Sequence, residues 1–461
     1  MNKALVKTAV SHLDPQTRVT HFDEVQCPYT IDEAILEANR CLECKHQPCV
    51  AGCPVEIDIP GFIREIKKEN FENAYQIIRK DSLLPAVCGR VCPQENQCEK
   101  YCVRAIKGES VAIGRLERFV ADHHYAHGPE ETHKPILDKD AKIAIVGSGP
   151  AGLSCADTLL QLGYPVTIFE ALHQPGGVLI YGIPEFRLPN RVVEQEIDDL
   201  KARGAEIKLN TLIGKTIYLE DLFAQNYEAI FLGTGAGLPR FLNVPGEHLN
   251  GVYSANEFLT RVNLMSAYQK EADTPIYRGQ IVSVVGGGNV AMDAARSALR
   301  LGAKEVHLIY RRSLTELPAR LEEVHHAQEE GIIFNLLTNP LNILGDDKGF
   351  VKAIELIKME LSEKDASGRR RPIPKAGSEF ILETDVVIVA VGTTPNPIIS
   401  QTSPTLEITD YGCILTKNEA GLTTYPNVYA GGDAVTGSAT VIEAMGAGKQ
   451  AALEIDRVLN S

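Results

Sequence analysis

The sequence predicts an α/β chain in which two doubly wound parallel-sheet domains follow a smaller, purely helical one. Three observations predict it. Eight of the eleven cysteines are packed between Cys41 and Cys102. A Val/Ile-rich strand running into a glycine turn and then a helix occurs twice, about 139 residues apart, at Gly147 and at Gly286. Before about residue 135, apolar residues recur three and four positions apart and no such strand is found.

At 461 residues the chain is long enough for two or three domains, each with its own core. Hydrophobic residues at 44% and charged residues at 23% are ordinary for a globular protein. A net charge of -14 leaves no basic footprint, which argues against nucleic acid or an anionic membrane as partner. No apolar run approaches the ~18 residues of a membrane span. The cytoplasm is the expected location.

In the first domain, 31–40, 59–70 and 71–80 read as short helices, with the cysteines on the turns between them. The first cysteine set reads Cys41-x2-Cys44-x4-Cys49-x3-Cys53-Pro54, and the second Cys88-x3-Cys92-x5-Cys98-x3-Cys102. A disulfide framework belongs to short secreted chains, and no charged-then-apolar signal segment opens this one. Structural zinc would show Cys-x2-Cys pairs a dozen or more residues apart, not four cysteines within thirteen positions. The crowding suits iron–sulfur clusters, and the Cys53-Pro54 ending matches two-cluster runs whose last cysteine ligates the other cluster. Two 4Fe-4S clusters with crossed ligation are expected. Spacing alone spends all eight cysteines as ligands and reads Glu117 as part of a helix-surface ion pair.

Past the polar stretch 123–140, the strand 142–146 runs into Gly147-Ser148-Gly149-Pro150-Ala151-Gly152 and an apolar helix, 153–162. Glu170 ends the next strand, 166–169. This is a dinucleotide fingerprint: the glycines admit a pyrophosphate at a helix N-terminus, and the acid meets ribose hydroxyls. The second copy reads Gly286-Gly287-Gly288-Asn289-Val290-Ala291, and its following strand ends in Arg311-Arg312 where the first copy has Glu170. Arginine pairs with a 2′-phosphate that a carboxylate repels, so the second nucleotide is expected to be NADP(H). Near the end, Gly431-Gly432-Asp433 precedes an apolar helix from about Thr440 and Val441. Set beside the first fold, Asp433 is placed for the ribityl and phosphate of FAD, and the helix N-terminus for the flavin's negative edge.

The segments 229–235 and 387–395 each end a buried strand in a Gly/Thr turn, as expected where the chain crosses between the folds. The expected layout is therefore 1–135 helical, 136–278 FAD-binding, 279–388 NADPH-binding, and 389–461 FAD-binding again. The second fold contains no Cys-x-x-Cys, so a flavin disulfide reductase is excluded. Cys155 and Cys413 read as small core residues.

Taken together, the cysteine sets, both fingerprints and the Asp433 turn resemble the NADPH glutamate synthase small (beta) subunit family. That family includes the large subunit of NADH-dependent ferredoxin:NADP oxidoreductase and the N-terminal half of dihydropyrimidine dehydrogenase. The stretch 176–188, GGVLIYGIPEFRL, is similar to the family's flavin-facing loop, which adds Gly177 and Arg187 to the expected FAD contacts. The stretch 286–296, GGGNVAMDAAR, is similar to its NADPH loop, which adds Asn289 and Val290. The resemblance implies tandem Rossmann-like FAD and NADPH domains preceded by an α-helical ferredoxin domain. It also implies one cluster on Cys41, Cys44, Cys49 and Cys102 and another on Cys53, Cys92, Cys98 and Glu117, with Cys88 left out.

NADPH releases a hydride, clusters carry single electrons, and flavin exchanges with both, so FAD is expected between them. The hydride step needs no side-chain acid or base, and no catalytic residue is assigned. The resemblance implies a redox partner. It is either a larger glutamate synthase subunit, since no glutamine amidotransferase or 2-oxoglutarate site is recognisable here, or a small flavin and 2Fe-2S subunit of a bifurcating complex. The stretch 13–24 is closer to the stand-alone and bifurcating branches. A homo-oligomer is compatible with the sequence, and a non-catalytic electron-relay or assembly subunit is disfavoured by the intact glycines.

Overall fold

The structure, a computed structural model, describes residues 4–129, 137–364 and 368–461. The expected boundary near residue 135 lies outside the described residues. The first domain is helical, with helices Ile31–Ala38, Ile59–Lys67, Phe71–Arg79, Pro85–Val91 and Ile113–His127. Local chemistry starts them: Thr30 and Glu33 form a reciprocal capping box, Asp58 accepts from Gly61 N, and Pro85 occupies a first turn whose amide needs no partner. Their apolar faces, including Phe62, Ile66, Tyr75, Ile78, Val87, Leu116 and Val120, close into one core. Cys88 lies inside the helix Pro85–Val91 and not on a turn as expected. Cys155 is fully buried, whereas Cys413 is only partly buried and so is not the core residue expected.

Two five-stranded parallel sheets follow. The first has the order Val428–Ala430, Tyr227–Leu232, Lys142–Val146, Val166–Phe169, Glu206–Lys208. The second has the order Val252–Ser254, Val386–Val389, Ile281–Val285, Glu305–Tyr310, Ile333–Leu336. The glycine turns leave the carboxyl ends of their central strands, where ligands enter such sheets. Strand Val252–Ser254 and helix Ala255–Val262 belong to the second sheet and its core, so that fold begins near residue 252 and not at 279. Three residues without a glycine turn leave no pattern from which this could be read.

The crossings expected from the Gly/Thr turns are paired, Leu238–Pro239 lying antiparallel to Thr393–Thr394. Helices Ala255–Val262, Asn289–Arg300 and Leu321–Glu329 cover one face of the second sheet. An antiparallel sheet of Thr338–Gly345, Val351–Lys364 and Arg370–Glu383, which the sequence did not announce, packs over Val285, Ile309, Val387 and Val389 on the other.

The helical domain and first sheet share one unbroken hydrophobic core. Helix Val441–Leu459 lies along Pro150–Gln161 so closely that a Cβ on Gly448 would stand 2.1 Å from the Ala151 carbonyl oxygen. Among the described residues, no helix is long and apolar enough to cross a membrane.

Candidate functional site

The first glycine turn has the shape of a pyrophosphate cradle. Gly147 has a φ of 100°, and a Cβ there would meet the Gly233 carbonyl oxygen at 2.5 Å. A Cβ on Gly152 would stand 1.9 Å from the Gly147 carbonyl oxygen, while one on Gly149 would meet nothing within 4 Å. The outer glycines let the turn close on strand and helix, and the middle one leaves room at the helix N-terminus, with Ala151 buried behind it.

Glu170 stands at this turn as part of its frame. Its carboxylate accepts from Ser148 N (2.9 Å), Ser148 Oγ (2.6 Å) and Leu172 N (2.8 Å). Ser148 Oγ in turn accepts from Gly176 N at 2.9 Å, which ties the loop 176–188 to the turn. Gly177 crosses the cradle so closely that a Cβ would be 2.9 Å from Gly149 Cα. Arg187, at the far end of this loop, is buried; its Nη1 donates to Asp293 Oδ2 at 2.7 Å and its Nε has no hydrogen-bond partner. The sequence reading missed Ser148, and missed Asp293 as the loop's anchor on the second fold.

The Asp433 turn lies against the same cradle: a Cβ on Gly432 would be 3.0 Å from Ala151 Cβ. Burial pushes the Asp433 carboxyl up, partly countered by the Ala439 amide that it accepts from at 3.1 Å. Thr440 caps helix Val441–Leu459 in a reciprocal box with Glu443, and its Oγ1 also accepts from Gln97 Nε2 at 3.2 Å.

The second turn repeats the cradle. A Cβ on Gly286 would be 2.4 Å from the Ala390 carbonyl oxygen, and one on Gly288 would meet nothing within 4 Å. Asn289 Oδ1 accepts from Arg320 N at 2.9 Å, and Val290 is exposed. The two arginines differ: Arg311 is exposed, whereas Arg312 is buried and donates from Nε to the Arg370 carbonyl at 2.8 Å. Arg311 thus stands on the surface, with Arg312 in the framework behind it.

Cys41, Cys44, Cys49 and Cys102 line one cavity whose other walls include Leu42, Pro48, Ile59 and Ile63. Burial pushes the Cys41 thiol up, and burial together with the Cys102 and Cys41 charges pushes Cys49 up to about 12. Cys102 Sγ accepts from Val111 N at 3.5 Å.

The second set gathers around Glu117. Burial, with Glu117 and Cys92 adding to it, pushes the Cys53 thiol up to about 11. Cys98 is raised by burial first and then by Glu99, Glu117, Cys53 and Cys92. Glu117 itself is buried, so the surface ion pair expected from spacing is corrected. Burial and then Glu196 push its carboxyl up to about 8, and its Oε1 has no hydrogen-bond partner. A carboxylate oxygen without a hydrogen-bond partner among these four cysteines, Cys88 included, fits a cluster iron. Cys88 lies in the same group: a bond with Cys92 and burial, then the Cys92, Glu117 and Cys53 charges, raise its thiol, and its Sγ is also 3.6 Å from Met445 Sδ. Among the described residues, no three His, Cys, Asp or Glu side chains converge as a single metal ion would require.

The second set also adjoins the first cradle. Besides the Gln97–Thr440 and Cys88–Met445 contacts, the Pro54 carbonyl oxygen lies 2.9 Å from where a Gly446 Cβ would be. The opening turns of helix Val441–Leu459 thus stand between the Asp433 turn and the second cysteine set.

Fold and site define a flavin and iron–sulfur NAD(P)H oxidoreductase. A family model described as dihydropyrimidine dehydrogenase domain II, 4Fe-4S cluster, matches residues 18–129, and one described as pyridine nucleotide-disulphide oxidoreductase matches residues 141–448. The chain is 41% identical over 437 residues to the NADP(+)-dependent formate dehydrogenase subunit beta of Moorella thermoacetica, covering 89% of this chain and 60% of that one. It is 40% identical to the NADPH-Fe(3+) oxidoreductase subunit beta of Geobacter sulfurreducens, covering 89% and 63%. With the glutamate synthase [NADPH] small chain of Escherichia coli it shares 35% identity, covering 96% and 94%. The chain thus spans about three-fifths of the first two relatives and nearly all of the third. It belongs to the glutamate synthase small-chain family. Among solved structures, Mycobacterium tuberculosis FprA in complex with NADPH matches 70% of this chain and 85% of its own at 22% identity and a TM-score of 0.58, a likeness of fold.

Proposed function

We propose that this chain takes electrons from NADPH and hands them one at a time to a partner subunit, as the small subunit of an NADPH glutamate synthase. The observation that carries this reading is the juxtaposition of the Asp433–Thr440 cradle and the second cysteine set across the opening turns of one helix. The end-to-end match to glutamate synthase small chains supports the choice of enzyme.

In this reading FAD lies in the first cradle, against Gly147, Gly149, Gly152, Gly177, Arg187, Asp433, Thr440 and Val441. Glu170 holds the turn and shares its carboxylate with a ribose. NADPH lies in the second cradle, against Gly286, Gly288, Asn289 and Val290, with its 2′-phosphate on Arg311 and Arg312 behind. One 4Fe-4S cluster takes Cys41, Cys44, Cys49 and Cys102, and the other takes Cys53, Cys92, Cys98 and Glu117. When bound, FAD supplies the conversion between a hydride and single electrons that these neighbours require. The chain's own residues bind, orient and exclude water: the Ser148–Glu170 bonds fix the turn, the loop 176–188 covers it, and helix Val441–Leu459 closes its far side. Neither an acid nor a base is needed at the reacting atoms.

A second reading, the NADP-linked subunit of a different dehydrogenase complex, is favoured by the 41% identity to the formate dehydrogenase subunit. Anaerobic native purification from the source cell, with mass spectrometry of what stays bound, tests both. A large glutamate-forming partner supports the first reading; a small flavin and 2Fe-2S partner or a dehydrogenase subunit overturns it in favour of the second.

A further inference from the structure

The stretch 13–24 enters neither cradle nor either cysteine set, yet its later part is bonded to all three domains. Asp14 caps a one-turn helix, Pro15–Arg18, that delivers Arg18 into the second fold. Arg18 is 2% exposed; its Nε donates to Glu330 Oε1 (2.9 Å) and its Nη2 to Glu329 Oε2 (2.8 Å) and the His326 carbonyl (3.2 Å). Arg300 returns the contact, donating to the Arg18 carbonyl and the His21 carbonyl, both at 3.0 Å, and to Glu330 Oε2 at 2.8 Å. Arg296 also holds Glu330, through Nε at 3.0 Å.

Four residues on, Phe22 stacks on Tyr268 at 4.3 Å and lies 6.0 Å from the ring of Phe186. Val25 N donates to the Phe186 carbonyl at 2.9 Å. Phe186 belongs to the loop that crosses the first cradle, and its ring carries the guanidinium of Arg300 at 4.0 Å and of Arg296 at 4.7 Å. Its neighbour Arg187 holds Asp293 on the same helix, Asn289–Arg300, which opens at the second cradle. Glu24 completes the span: it accepts from Arg90 Nε at 2.7 Å and lies 2.9 Å from Arg118 Nη2, beside Cys88 and Glu117 in sequence.

We propose that residues 18–25 are a positioning strap that fixes the second cradle relative to the first, with Arg18 and Phe22 as positioning residues for hydride transfer. The inference rests on the proposed function. The two folds are joined covalently by two crossings, and hydride transfer needs its partners in contact, where an error of ~1 Å costs on the order of 100-fold in rate. A helix that opens at one cradle and is pinned to the loop over the other meets that need. Arg18 and Phe22 brace the pin from outside and belong to neither glycine turn.

The experiment uses the full FAD- and iron-loaded chain with Arg18→Ala and Phe22→Leu. Glu330 keeps Arg296 and Arg300 when Arg18 is removed, and Glu329, which loses its partner, is half exposed to water, so no buried carboxylate is stranded. Under anaerobic rapid mixing with NADPH, the limiting rate of flavin bleaching is expected to fall roughly tenfold or more, with the half-saturating NADPH concentration changed less than about twofold. FAD content, iron content and bleaching by dithionite stay at wild-type values. Arg18→Lys, which keeps the charge without the fork to both glutamates, falls between. A limiting rate at the wild-type value in replete variants overturns the strap, as does a variant that loses FAD while its replete fraction reacts normally. Wild-type protein that NADPH does not bleach at all is a different failure, that of the functional reading, and takes this inference with it.

Discussion

Replacing Asp157 by Asn tests how the helical domain is fastened to the first nucleotide fold. Asp157, on helix Pro150–Gln161, accepts from Arg79 of the helical domain through both nitrogens, at 2.9 and 3.0 Å, and also from Arg203 Nη1. Burial raises its carboxyl, but the two guanidinium groups outweigh burial and hold it below the usual aspartate range. The substitution leaves two guanidinium groups without a counter-charge, and Arg203 Nη2 already lacks a hydrogen-bond partner. Removing one partner of a buried pair costs about 3–5 kcal/mol. Because the Arg79 and Arg203 side chains keep 12% and 15% of their exposure, water reaches them and the lower end applies, about 3 kcal/mol.

For domains of this size, that destabilisation corresponds to a fall of roughly 6–12 °C in the unfolding transition that contains this interface. Calorimetry at neutral pH on cofactor-loaded wild type and variant reads it directly. The sign with pH follows from the depressed carboxyl. Its contribution is complete above the ordinary aspartate value of 3.8 and is lost as the pH falls through the lower folded value, so the gap between the two proteins closes in acid. A transition shifted by less than about 1 °C at neutral pH would refute the reasoning, since surface pairs alone have so small an effect.

Three other outcomes are expected. Arg311→Ala raises the KM for NADPH by roughly 1–3 kcal/mol, about 5- to 150-fold, with little change for NADH; equal loss with both would undo the 2′-phosphate assignment. Gly288→Val places its side chain in open space, so the variant folds and keeps FAD, yet NADPH no longer bleaches the flavin; undiminished bleaching would move the pyrophosphate elsewhere. Glu117→Ala lowers iron from about eight to about four per chain and removes one cluster signal, whereas Cys88→Ser keeps both. The reverse pattern in iron analysis and EPR would restore Cys88 as the ligand.

The sequence made the cradles legible because their chemistry is local: glycines at fixed spacing, a strand before and a helix after, all within about 25 residues. The first cysteine set was legible for the same reason. From spacing Glu117 was not, because a carboxylate on a helix reads as a surface group until the fold shows it buried and its Oε1 unpartnered; only the family resemblance pointed to it. Arg311 and Arg312 look equivalent in sequence, and only the Arg370 carbonyl, 58 positions from Arg312, separates them. The strap is illegible in principle. Arg18 and Glu330 are 312 positions apart, and neither belongs to a motif. The antiparallel sheet beneath the second fold and the early strand Val252–Ser254 likewise depend on long-range pairing.

In the proposed function, electrons pass from NADPH through a flavin to two clusters held by this chain. Anaerobic titration of the purified, cofactor-loaded protein with NADPH, followed by flavin absorbance and low-temperature EPR, tests it most directly. Flavin bleaching is expected together with the signal of a reduced 4Fe-4S cluster, lost in a variant with Cys53, Cys92 and Cys98 replaced. A bleached flavin with oxidised clusters, or protein that carries zinc in place of iron when purified anaerobically, would contradict it.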